Sequence, residues 1–397
     1  MRLLTIRTHC QARYGSENHM LRVAFRLLRH DIQVHAAFPQ SEGTASMISD
    51  CQAAGVSYSP FDCDADTAAA RCRQVRKLLH AIRPDVVQFT AGWPTQVIEP
   101  ALGCALEGVP LLAVFQLAPK PISLSEQCRR RLSWARSRQQ RWMAVSQQNL
   151  PHLQDTFAAH RDDLGILYNG IDIESCDERN REAVRRDVRV ELGLPADARL
   201  LLTTSRLDPQ KGHSDLLKIA PMLVEKFPDV RFVWAGGGWK GDLTERQRLE
   251  SEIRQLDLQG WVRVLGYRND IQRLLTASDL LIFPTRFEGG CSSSIREAMM
   301  HELPIVSSDA GGIPEVLRDG FDALLFPVRD IAGMVARISE ALSKPDKMRS
   351  LAKRARVRIE EFSSERMVEN YLTVLRDLCN RSMAEARQVP ITANNPI

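Results

Sequence analysis

"DLLIFPTRFEGGCSSSIREAMMHELPIVSSDAGGIPEV" (residues 279–316) contains a complete strand–loop–helix–strand unit. The apolar run LLIF ends at Pro284. A loop rich in Gly, Cys and Ser leads into the helical pattern SIREAMMHE, and a second apolar run, PIVSSD, comes next. Ser292 to Ser294 are available as caps for that helix. A short apolar run without polar alternation is a strand buried on both faces. A helix between two such strands makes them parallel, with a right-handed crossover.

The same rhythm continues on both sides. Upstream stand "RLLLTTS" (199–205), "HSDLLKIAPMLVEKF" (213–227), "VRFVWAG" (230–236), "RQRLESEIRQLDL", "VRVLG" and "IQRLLTASD". The first half alternates likewise, through "RLLTI" (2–6), "NHMLRVAFRLLRH" (18–30), "IQVHAAF", "RCRQVRKLLHAI", "DVVQFT" and "PLLAVFQL". The expected fold class is α/β, with two Rossmann-like, doubly wound parallel-sheet domains facing a central cleft. The charge-rich stretch 177–197 interrupts the rhythm, which divides the chain into 1–175 and 176–362. The helical pattern over 363–380 is expected to pack back on the first domain. The polar tail "AEARQVPITANNPI" is expected to fray.

A chain of 397 residues with 44% hydrophobic and 26% charged content is long enough for two packed domains and too apolar for disorder. The net charge is +4, but residues 1–170 hold 19 Lys+Arg against 14 Asp+Glu. That excess inclines the first half toward anionic partners. The nine cysteines are scattered without Cys-x-x-Cys pairs or Cys/His clusters, which argues against a zinc site and a disulfide framework. No apolar run approaches 18 residues, and "MRLLTIRTHC" is too short and polar for a signal peptide. The expected location is cytoplasmic.

Three glycine-bearing stretches carry the candidate chemistry. Gly236, Gly238 and Gly241 form a G-x-G-x-x-G after a strand, but the next strand runs into Tyr267 and Arg268, with no acid to hold a ribose. A tight turn explains these glycines better than a dinucleotide. In "TSRLDPQKGHSDLL", Arg206 and Lys211 stand before a helix start, as a diphosphate clamp would require. A solvated basic loop is the plainer alternative. In the opening stretch, Glu297 lies in the first or second turn of its helix, where a carboxylate can take both hydroxyls of a ribose. Gly289 and Gly290 let the backbone approach a ligand closely, and Glu288 stands just past the strand end. An ordinary capping box accounts for Glu297 but not for Glu288 or the glycine pair.

The order of these stretches resembles the retaining family 4 glycosyltransferases of the GT-B fold. "YGSENHMLRVAFRLL", "RPDVVQFT", "AVSQQN" and "LYNGID" are similar to the family's N-domain landmarks. "SRLDPQKG", "GYRNDIQRLLTASDLLIFPTRFEG", "REAM" and "AGGIPEVLRDG" are similar to its donor-domain signature. The resemblance implies transfer of a hexose-type sugar from a UDP- or GDP-linked donor to a glycan, lipid-linked or small-molecule acceptor. It implies that Arg206 and Lys211 hold the diphosphate and Glu297 the ribose. Glu288, Gly289 and Gly290 would meet the donor sugar, main chain near Arg268 the base, and Gly15 the phosphates from the N-domain side. Arg206, Lys211 and Glu288 would be the catalytic set. No metal or cofactor is implied, the nucleotide-sugar being a substrate.

Two positions depart from the pattern. Eight residues separate Glu288 from Glu297 where the family has seven, and Gln116 ends a strand where many relatives carry a His that contacts the sugar. Two other readings share the fold. One is a non-catalytic nucleotide-sugar-binding scaffold, favoured only by Gln116. The other is a sugar-nucleotide epimerase, for which His9 and Asp85 are candidate acid/base groups. Finally, "EQCRRRLSWARSRQQRW" (126–142) sets six arginines beside Trp134 and Trp142. Read as one basic amphipathic helix, it is a candidate contact for an anionic membrane surface. No nucleic-acid partner is expected.

Overall fold

The computed structural model describes residues 1–10, 13–173, 180–238 and 241–388, with side chains to residue 380. The chain divides into two units, Met1–Asn169 with the segment from Ser364 onward, and Gly170–Ser363. The boundary expected at 175/176 lies outside the described residues, as does the tail beyond residue 388.

The first unit contains strands β1 (Arg2–Ile6), β2 (Gln33–Phe38), β3 (Ser57–Pro60), β4 (Val86–Ala91), β5 (Leu111–Phe115), β6 (Gln140–Ala144) and β7 (Leu164–Ile166). They form one parallel sheet in the order β3-β2-β1-β4-β5-β6-β7. Strand β5 shows why. Leu111, Ala113 and Phe115 point into one core layer and Leu112 and Val114 into the other, all without solvent exposure. A strand with two buried faces reads as an unbroken apolar run. The helix Ser364–Gln388 completes this unit. Met367, Val368, Tyr371, Leu372, Leu375 and Leu378 make its apolar stripe in the layer that also holds Leu21 and Ala24. The Tyr371 hydroxyl lies 2.9 Å from His19 Nε2.

The second unit contains β8 (Arg199–Thr204), β9 (Val230–Ala235), β10 (Val262–Gly266), β11 (Leu280–Phe283), β12 (Ile305–Ser308) and β13 (Leu324–Phe326). They form a parallel sheet in the order β10-β9-β8-β11-β12-β13. Both sheets are doubly wound, and each reverses strand order once, at β1/β4 and at β8/β11. In such sheets ligands bind beyond the carboxyl ends of the strands at that reversal.

Candidate active site

In the second unit, the loops after β8 and β11 meet at the reversal. Asp208 accepts from the Gln210 amide at 2.8 Å and starts the short turn Pro209–Lys211. Gly212 follows with φ +77°, and a Cβ there would fall 2.0 Å from the Pro284 carbonyl oxygen. Only glycine lets the β8 loop lie so close to the β11 loop. Two bonds latch the loops: the Arg286 amide donates to the Gln210 carbonyl at 2.8 Å, and Gln210 Nε2 to the Phe287 carbonyl at 2.7 Å.

Across this latch, Lys211 Nζ donates to Glu288 Oε1, and Thr285 Oγ1 donates to the same oxygen at 2.9 Å. Both charged side chains are almost wholly shielded, at 10% and 12% exposure. The ammonium also sits 5.4 Å from the Phe283 ring centroid. Arg206 is more open and lies 3.1 Å from Asp208 Oδ2. Gly311 has φ +56°, and a Cβ there would lie 2.1 Å from the Glu288 carbonyl oxygen, so the β12 loop is packed tightly beneath Glu288.

The helix Ser293–Met300 starts from Ser292 with no side-chain cap bond. Its third residue is Ile295, so no capping box engages Glu297, which is half-buried in the second turn. Ser294 Oγ donates to the Thr204 carbonyl at 2.5 Å and ties this helix to the end of β8. Gly289 is buried and Gly290 half-buried in the preceding loop.

Arg268 follows β10 by two residues. Its guanidinium donates to Asp270 at 2.7 and 2.6 Å and to Glu191 at 2.8 Å. These bonds raise its pKa above the ordinary arginine value. The side chain is thus committed within the protein, and any part in base recognition falls to the main chain beside it. The Gly266 carbonyl there accepts from the Gly236 amide at 2.7 Å. Gly236 and Gly238 are turn glycines. Cβ atoms on them would fall 1.8 Å from the Ser205 oxygen and 1.6 Å from the Asp242 oxygen.

Two features of this region escaped the sequence reading. Tyr267, just after β10, is 83% exposed. His213, the first residue of its helix, is fully buried against Trp234 with ring centroids 5.0 Å apart. Burial, with a smaller push from Lys211, lowers its pKa to about 3, so the imidazole is neutral at physiological pH.

In the first unit, Gly15 opens the helix Gly15–Leu27 and is exposed, with no atom crowding a Cβ there. The demanding glycine is Gly92, after β4. A Cβ there would lie 2.4 Å from the buried Arg7 guanidinium. Arg7 pairs with buried Glu17 at 2.8 Å, and donates to the Thr90 carbonyl, Gln96 Oε1 and Ser16 Oγ. Arg7 thereby holds the start of the helix against the end of β4. The only trace in sequence was an Arg ten positions before a Glu.

Gln116 Oε1 accepts from Asn169 Nδ2 at 2.8 Å, while its own Nε2 is buried without a partner among the described residues. His9 is half-exposed, 4.0 Å from Asp64. Asp85 bonds the Arg2 amide at the amino ends of β1 and β4, away from the reversal's ligand-binding edge.

The segment 126–142 is not one helix. The helix ends at Arg136, and Gln140–Ala144 is β6. Trp142 is 1% exposed, with its ring edge-on to Phe157 at 4.9 Å and Nε1 donating to Gln140. Arg136 is buried over Trp142 and donates to the Phe157 carbonyl. Arg141 lies 3.6 Å from Asp377. Of its arginines and tryptophans, Arg130, Arg131, Trp134 and Arg138 remain exposed, with Arg138 stacked 5.3 Å over Trp134 and Arg130 paired with Glu126 at 2.9 Å. No helix among the described residues is long and apolar enough to cross a membrane.

Two family models match the chain: Glycosyltransferase Family 4 over residues 14–175 and Glycosyl transferases group 1 over residues 184–358. Spore coat protein SA of Bacillus subtilis is 30% identical over 230 residues, covering 55% of this chain and 60% of that protein. The putative glycosyltransferase EpsD of the same organism is 28% identical over 182 residues, 46% of each chain. The chain thus spans about half the length of the curated relatives it matches. Among solved structures, a glycosyltransferase from Rickettsia africae superposes with a TM-score of 0.81 at 15% identity, covering 95% of this chain and 98% of that one. Alr3699/HepE of Anabaena, in complex with UDP-glucose, superposes with a TM-score of 0.80 at 19% identity, covering 95% and 100%.

Proposed function

Because the chain belongs to the family 4 glycosyltransferases of the GT-B fold, we propose that it moves a hexose-type sugar from a UDP-linked donor to a glycan, lipid-linked or small-molecule acceptor, with the anomeric configuration retained. The observation that carries this reading is the Lys211–Glu288 contact, made by residues 77 apart in sequence at the strand reversal of the second sheet. The solved UDP-glucose complex of Alr3699/HepE supports the choice of nucleotide.

In this reading the second unit holds the donor and the first unit the acceptor. Glu297 takes the ribose, main chain near Arg268 the base, and Gly289 and Gly290 the sugar. Gly15 stays a candidate for the phosphates on the family resemblance alone. Arg206 and Lys211 stabilise the leaving diphosphate, so the transfer needs no metal. The acceptor oxygen attacks C1 on the face that the diphosphate leaves, and a departing phosphate oxygen takes the acceptor's proton. No side-chain base is required, so a Gln at 116 is compatible with turnover. Its unpartnered Nε2 is a donor for a substrate hydroxyl.

A thermal-shift panel of UDP and UDP-hexoses tests the donor. Ligand at 100 times its Kd should stabilise the protein by about 2.7 kcal/mol. Glu297→Gln keeps the shape but loses charge-assisted acceptors worth about 1.5–3 kcal/mol each, so UDP alone should bind at least tenfold more weakly. Glu288→Gln should spare UDP and weaken the complete donor. Equal UDP binding by both variants would overturn this division of labour.

The exposed Arg130, Arg131, Trp134 and Arg138 also suit an anionic membrane surface that presents a lipid-linked acceptor. Each arginine near such a surface contributes roughly 1 kcal/mol at low salt. Replacing Arg130, Arg131 and Arg138 with serine should therefore abolish flotation with anionic vesicles. Flotation unchanged by the triple substitution, or absent in the unaltered protein, would remove the membrane from the reading.

A further inference from the structure

A cavity of about 540 Å³ opens in the second unit beside the first residues of β8 and β11, Arg199 and Leu280. It lies at the sheet edge opposite Arg206, Lys211 and Glu288. Strand β8 alone separates the two edges by roughly 17 Å, at about 3.3 Å per residue. A ligand in this cavity therefore cannot touch the proposed reaction.

The volume is that of a small-molecule site. Leu280, Ala341, Leu342 and Met348 form an apolar floor. Five basic and three acidic side chains, with Ser278, Pro304 and Pro345, complete the lining. Two of the acids are engaged by Arg185: Asp279 at 2.6 Å and Glu182 at 3.9 Å. Among the described residues, Arg181 and Lys353 have neither a hydrogen bond nor an ion pair, and only Glu302 is available to offset them. The lining thus bears a positive excess over an apolar base.

We propose that this cavity binds a small phosphate monoester with an apolar body, as a second ligand site independent of the donor. A monoester carries about −1.5 to −2 charges at pH 7, which the two cations unpaired among the described residues, Arg181 and Lys353, can hold. Its phosphate sits between Arg181 and Lys353, and its apolar body covers Leu280, Leu342 and Met348. Neither part suffices alone, because the rim cations are solvated and the floor is small.

The test is titration calorimetry on the full chain with submicellar octyl phosphate, inorganic phosphate and octan-1-ol, each with and without saturating UDP. Octyl phosphate should bind one per chain, at least tenfold more tightly than either control, and UDP should not displace it. The double variant Arg181→Ser/Lys353→Ser loses two charge-assisted contacts and should bind it at least tenfold more weakly. Leu342→Trp fills the cavity and should abolish binding. Both variants should keep the unaltered protein's UDP affinity, which certifies their fold. The proposal is overturned by no binding of octyl phosphate, by its displacement with UDP, by equal binding of inorganic phosphate, or by unchanged affinity in the double variant.

Discussion

Lys211→Ala is expected to lower turnover by about 10²–10³-fold, and Arg206→Ala by a similar factor. In the proposed transfer, negative charge accumulates on the diphosphate as the sugar departs, and a positive group already fixed in place would stabilise that charge without reorganising. Lys211 is fixed: its ammonium is held by Glu288 and shielded to 10% exposure. The same pairing complicates the experiment. Removing one partner of a buried pair costs about 3–5 kcal/mol at full burial, so Lys211→Ala should also lower Tm. The double variant Lys211→Ala/Glu288→Gln separates the effects. It should recover part of the Tm, because no carboxylate is left unpaired, and none of the turnover. Near-normal turnover in both single alanine variants would mean that neither group stabilises the leaving diphosphate.

Gly311→Ala is the second large effect. At φ +56° an L-residue costs roughly 1–2 kcal/mol. The added Cβ would also lie 2.1 Å from the Glu288 carbonyl oxygen and must push that loop aside. A shift of order 1 Å in a positioning group can cost about 10² in rate, so turnover should fall by about that factor beyond any loss of Tm. Gly320→Ala is the matched control. Its φ is +69°, but no atom stands within 4 Å of a Cβ there. It should pay the backbone cost alone and keep its turnover. If Gly311→Ala turns over as fast as Gly320→Ala, the loop beneath Glu288 does not position the reacting groups.

The doubly wound architecture was legible in the sequence because parallel strands are buried on both faces. Runs such as LLAVF and LLIF have no polar alternation, and each is followed by an amphipathic helix. Arg206 and Lys211 stand out as candidates for a local reason, since a basic pair before a helix start is a pattern within one loop. Glu297 was placed in its helix by the serines that precede it.

What tertiary structure alone decided is long-range. Lys211 and Glu288 meet only because β8 and β11 are neighbours at the strand reversal, and no local pattern reports which strands pair. The Arg7–Glu17 pair needs the end of β4 above it, and the commitment of Arg268 to Glu191 needs a helix 77 positions away. The segment 126–142 shows the opposite case. Its arginines have the density of a solvated helix, yet Gln139 turns the chain at φ +51° and β6 pairs along β5. Trp142 then enters the core between Phe115 and Phe157, drawing Arg136 in behind it. Local charge specifies what water would tolerate. Burying a large aromatic surface outweighs that preference, and the partners that bury it are distant in sequence.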